Sequence, residues 1–163
     1  MTARLAHICR HPVKSVGYEE LPSVVLSPGA CLPLDREWAV VHEAARFEAL
    51  TEWQPKMNFL RGVAGPALMA IRAETALVAW LRPLWPANRP APSRVDRVPG
   101  VALTDVPEPF VAILNLASLR ALGQAMGRTL SIHRWRGNLW VEGWAPWEEF
   151  DLVGREIVIG SAR

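Results

Sequence analysis

"HRWRGNLWVEGWAPWEEF", residues 133–150, holds four of the chain's eight tryptophans, Trp135, Trp140, Trp144 and Trp147. Arg136, Gly137 and Asn138 stand between the first two. A segment rich in aromatic and β-branched residues, bounded by glycine at Gly137 and Gly143, reads as a strand, "RGNLWVEG". Side chains alternate along a strand, so Arg134, Arg136 and Asn138 are expected on one face and Trp135, Gly137 and Leu139 on the other. One face would then line a polar cleft and the other would pack inward. Trp140, Trp144 and Trp147 would roof or buttress that cleft, because large aromatics are mostly used for buried area.

Further strands are expected at 3–9 (ARLAHIC), 23–27 (SVVLS), 37–43 (EWAVVHE), 110–115 (FVAILN) and 155–160 (REIVIG). Two helices are expected. "TALVAWLRPLW" places Leu77, Trp80, Leu81, Leu84 and Trp85 at helical spacing, with Pro83 kinking or ending it. "ASLRALGQAMG" carries Ser118 near its start and Gly127 as a stop. "PANRPAPSRVDRVPG", residues 86–100, has four prolines in fifteen residues and reads as a linker or extended crossing segment. Many short strands and few helices give a β-rich α+β chain.

The totals suit this reading. The 163 residues are enough for one domain or two small ones, half of them are hydrophobic and 21% are charged. The net charge of +2 does not point to nucleic acid. No apolar run is long enough for a signal peptide or a membrane span, so a cytoplasmic location is expected. Two cysteines, Cys9 and Cys31, do not make a disulfide framework. His7 and His11 would lie too far apart on a strand to share a metal, and no metal ligands are assigned. Cys9 has Arg10 and Lys14 nearby, which could lower its pKa, but a buried apolar thiol is the expectation.

Three polar clusters stand out: "HPVKS" at 11–15, "DREW" at 35–38 and "RWRGN" at 134–138, with a weaker fourth, "NLASL", at 115–119. In this order they resemble the MOSC family, named after the C-terminal domain of molybdenum cofactor sulfurase, and specifically its bacterial type. The resemblance runs from about residue 5 to 160. It implies a MOSC-type β-barrel with a barrel-like N-terminal domain and a few short helices. It also implies three regions: an N-terminal barrel-like domain at 1–66, a helix and Pro-rich connection at 67–99, and the front part of the MOSC domain at 100–163.

The resemblance further implies a molybdenum cofactor, a molybdenum–pyranopterin, bound by Lys14, Ser15, Arg36, Ser118, Arg136 and Asn138. In complete form such proteins are sulfur carriers, or oxidoreductases acting on N-oxygenated compounds, with a sulfur-donor or electron-donor protein as partner. The chemistry is coherent. Lys and Arg match a phosphate, a Ser at a helix start adds a hydroxyl, and a carboxamide both donates and accepts at a pterin edge. Pyridoxal phosphate, carried by enzymes to which the domain can be fused, is not expected. The family's cysteine, expected beyond the strand at 155–160, has no match in Cys9 or Cys31, and the connection around "MAIRAETALVAW" reads as short. No catalytic residue is therefore assigned. A chain truncated at its C-terminus, or an interaction domain that keeps the fold without the chemistry, is the alternative expectation.

Overall fold

The strand expected at the start of the chain forms as β1 (Arg4–Arg10) and lies inside a four-stranded sheet. The computed structural model describes residues 3–60, 74–85 and 87–162. The other strands are β2 (Glu19–Glu20), β3 (Trp38–His42), β4 (Pro92–Arg97), β5 (Ile113–Asn115) and β6 (Leu139–Glu142). Among the described residues, two helices of eight or more residues accompany them, α1 (Glu74–Leu81) and α2 (Leu116–Ala125). The larger sheet has the order β2-β1-β6-β5. Its β1–β2 and β1–β6 pairs are antiparallel, and β5 and β6 are parallel. Parallel neighbours need a crossover, and α2 lies in it, packing Leu116 and Leu119 against Trp140 and Cys9.

β3 and β4 form a separate antiparallel pair. "WAVVH" is buried on both faces. Val40 packs with Val16, Leu60, Leu77, Val78 and Leu81 on one side, while Ala39 and Val41 pack with Phe59, Val98 and Leu103 on the other. The period-2 alternation of a strand produces this division, and α1 covers the Val40 side. The described residues thus form two sheets and a few short helices, with no closed barrel among them.

Several expectations are corrected. The 86–100 segment contains a strand: β4 pairs with β3 along its length, and Pro92 tolerates this because it stands at the strand's first position, beside a register shift. "SVVLS" forms no strand, and Val25 is 81% exposed. The edge position goes instead to Glu19–Glu20, where Glu19 pairs with Arg10 at 2.7 Å, a charged edge that discourages further strand addition. "REIVIG" forms only an isolated bridge, Ile159 to Ala162. The "RGNLWVEG" strand begins only at Leu139, because Arg136 takes a left-handed backbone with φ 52°. Arg134 lies in a 3-10 turn, Ile132–Arg134, so the face expected to carry Arg134, Arg136 and Asn138 does not exist. The boundary expected at 66–67, and residues 69–73 of the connection around 69–80 that reads as short, lie outside the described residues.

Candidate functional site

The three polar clusters of the sequence interlock through their backbones. Lys14 N–H donates to the Trp38 carbonyl (2.7 Å), Trp38 N–H to Pro12 (3.1 Å) and Arg36 N–H to His11 (2.8 Å). His11 N–H in turn donates to the buried Asp35 carboxylate at 2.7 Å. His11 Nε2 meets the Gly137 carbonyl at 3.2 Å, which ties the third cluster to the first two. This assembly frames a cavity of about 320 Å³ lined by Lys14, Ser15, Arg36, Thr104, Asp105, Phe110, Ala112, Trp135 and Arg136. Four of the six residues expected at a site, Lys14, Ser15, Arg36 and Arg136, line this one cavity.

The cations differ in how they are held. Lys14 Nζ donates to the Leu103 carbonyl (2.7 Å) and to Asp105 (2.9 Å), whose other carboxylate oxygen takes Lys56 at 3.2 Å. Burial holds the Lys14 ammonium below the usual lysine range, and the hydrogen bond from Lys14 holds the Asp105 carboxyl below the usual carboxylate range. Arg36 pairs with Asp35 and donates to the Arg136 carbonyl at 2.6 Å. Arg136 donates only to carbonyls, Val13 at 2.9 Å and Gly17 at 3.2 Å, and has no carboxylate partner among the described residues. Burial, then repulsion from Arg36, pushes its guanidinium down to about 10. The Asp35 carboxylate offsets only part of this, and a desolvated cation with no directly paired carboxylate favours an incoming anion.

Backbone conformation sets this cavity apart. Five non-glycine residues among those described have positive φ, and three of them, Ser15 (65°), Arg36 (55°) and Arg136 (52°), line it. Such residues cost conformational energy that the surrounding structure must hold in place, and they cluster at functional sites. Ser15 Oγ makes no hydrogen bond among the described residues.

The other two expected residues lie elsewhere. Asn138 is fully buried, accepting from Ala112 N–H (3.1 Å) and donating to the Cys9 carbonyl (3.2 Å). It bridges β1 to the approach of β5 rather than facing the cavity. Ser118 does not cap α2; Asn115 does, accepting from Ala117 N–H at 2.8 Å. Ser118 Oγ donates to Glu149 (2.8 Å) and accepts from Trp147 N–H (2.8 Å). Both Ser118 and Glu149 line a second, smaller cavity of about 180 Å³, with Leu119, Trp140 and Trp147. Trp135 borders both cavities.

Sequence reasoning missed Asp105, Thr104, Phe110 and the wall made by Trp135. The first three lie in an irregular stretch whose contacts to Lys14 and the cavity are all long-range, so no local pattern announces them. It also missed His11. Burial, reinforced by Arg136 and Arg36, lowers its pKa from 6.5 to about 4, so the ring is neutral behind the cations. Burial and Glu20 push the Cys9 thiol up to about 11 rather than down.

Neither cysteine lines the larger cavity, although Phe110 N–H, beside it, donates to Cys31 Sγ at 3.3 Å. Among the described residues, no helix is long and apolar enough to cross a membrane. Comparison with protein-family models, curated proteins and solved structures finds no match to this chain. The resemblance to the MOSC family therefore rests on the ordered segments alone.

Proposed function

We propose that this chain binds a phosphate-bearing planar cofactor in the larger cavity, and that the cofactor is a molybdenum–pyranopterin of the MOSC type. The MOSC-type barrel belongs to the same proposal. The observation that carries it is the convergence of Lys14, Arg36 and Arg136, drawn from three segments of which the first and last are over a hundred residues apart, on one cavity, with Arg136 held by carbonyls and by no directly paired carboxylate among the described residues. Pockets for small ligands are of this size or larger, with a few converging polar groups.

The residues fit the organic part of the group. Arg136 and Lys14 would hold the phosphate, with Ser15 Oγ free to donate. Arg36, fixed between Asp35 and the Arg136 carbonyl, would set the guanidinium spacing. Trp135 and Phe110 would flank a flat ring. When bound, the group would supply a redox-active metal. No thiol faces the cavity to ligate that metal, since Cys9 is packed under α2. This favours the second reading, a cofactor-binding or interaction domain without turnover of its own. Sulfur transfer, or reduction of N-oxygenated compounds with a partner donor protein, belongs to the proposal only for a form in which a thiolate reaches the metal.

The test is purification from a host that makes the cofactor, followed by molybdenum analysis and fluorescence of the released pterin. The expected result is pterin in near-stoichiometric amount from the wild type and little from Arg136→Gln. Wild-type protein that releases no pterin, or Arg136→Gln that retains it fully, would overturn the proposal.

A further inference from the structure

A second cluster, Cys9, Glu20 and His133, has none of its members in the lining of the larger cavity. Cys9 and Glu20 are direct partners across the β1–β2 pair, so their side chains share a face. His133 reaches the same spot from the 3-10 turn, its ring stacked on Tyr18 at 3.4 Å between centroids. One ligand atom from each of Cys9, Glu20 and His133 lies within 4.8 Å of both others. The Glu20 carboxylate sits between two imidazoles, with His7 Nδ1 at 3.3 Å from one oxygen and His133 Nε2 at 3.5 Å from the other. Cys9 is 1% exposed, and His133 Nδ1 is buried with no partner among the described residues.

A buried thiol, an imidazole and a carboxylate make a sulfur, nitrogen and oxygen donor set, the borderline-soft set that Zn2+ takes in tetrahedral geometry. Zinc bonds of roughly 2.0–2.3 Å place neighbouring donors about 3.3–3.7 Å apart. The closure from the present spacing is small, and Glu20, on an exposed edge strand, can supply it.

We propose that Cys9, Glu20 and His133 bind a zinc-class divalent ion, with His7 orienting the Glu20 carboxylate and water taking the fourth position. The site is separate from the cofactor cavity and does not depend on the reading given for it. Its place in the fold gives it a role. It would tie the edge β2 and the central β1 to the turn that leads directly into Trp135 and Arg136, and so fix one wall of the cavity.

The test uses the full chain, stripped of metal and titrated with Zn2+ against a chromophoric chelator, and separately with Co2+. The expected result is one equivalent bound. Co2+ should give a thiolate-to-metal charge-transfer band and the visible bands of tetrahedral cobalt. Cys9→Ser should lose the charge-transfer band, and His133→Gln and Glu20→Ala should each weaken Zn2+ binding by roughly tenfold or more. Cys31→Ser should change neither. Glu20→Ala alters an exposed edge residue, so it keeps the test meaningful if Cys9→Ser fails to fold. Absence of stoichiometric binding, cobalt spectra without a sulfur band, or binding unaffected in Glu20→Ala and His133→Gln would each overturn the proposal.

Discussion

His11 shows how a single side chain can be set by its neighbours rather than by its own chemistry. Its ring is buried against Arg136 and Arg36, with only Asp35 and the Gly137 carbonyl favouring the charged form, and its pKa falls from 6.5 to about 4. Between those two values the unfolded chain binds a proton that the folded chain does not, so stability rises with pH and is lost as pH falls through this window. The slope from this one group is at most about 1.4 kcal/mol per pH unit. Urea unfolding of the wild type between pH 7 and 4 should show this loss, and His11→Gln should flatten it. An unchanged slope in His11→Gln would place the acid sensitivity elsewhere. The same residue illustrates why a motif reading is incomplete. "HPVKS" draws attention to Lys14 and Ser15, yet His11 and its link to Gly137 hold the segment in place.

At the scale of the element, α2 depends on one position that helix propensity misjudges. Gly123 lies within α2, where glycine is unfavourable relative to alanine by about 1 kcal/mol. A Cβ there would stand 2.7 Å from the Arg128 carbonyl oxygen, a backbone atom held in place by the Arg128 N–H bond to the Gly123 carbonyl at 2.9 Å. The clash outweighs the propensity gain, since forcing extra volume into such a contact costs about 1–3 kcal/mol. Gly123→Ala should therefore lower the urea midpoint, whereas a pure propensity argument expects it to rise. β4 makes the opposite point. The prolines of the 86–100 segment argue against a strand by composition, but Pro92 sits where its missing N–H costs little, and Arg94–Arg97 complete the ladder to β3.

For the molecule as a whole, the unpaired Arg136 charge predicts how stability responds to anions. An anion that binds only the folded state stabilises it by mass action, about 1.4 kcal/mol at roughly ten times its dissociation constant. In a domain of this size that corresponds to a rise in thermal midpoint of about 3–6 °C. Inorganic phosphate should produce it, chloride at equal ionic strength should not, and Arg136→Gln should lose it. Equal responses to phosphate and chloride would mean general screening rather than a site. The anion would draw together segments 14–15, 36 and 136, and these are the segments already locked by the His11, Asp35 and Trp38 backbone bonds. An anion bound there would act on a preformed frame.

The sequence by itself determined the local elements whose signals are local. β1, the β3 core and the α2 segment with its stop at Gly127 were legible from alternation and helical spacing, while Lys14, Ser15, Arg36 and Arg136, which line one cavity, were singled out by the family resemblance of their segments. Tertiary structure decided the rest. A left-handed turn at Arg136 ended the strand reading of 134–138 and sent Asn138 inward, because its amide had to satisfy Ala112 and Cys9 backbone groups that become neighbours only after folding. Asp105 met Lys14 across 91 residues, and the thiol of Cys9 met His133 across more than a hundred. Periodicity carries information over a few residues. Which charge is left unpaired, and which donors share a face, depends on contacts between distant segments, and those exist only once the core has brought them together.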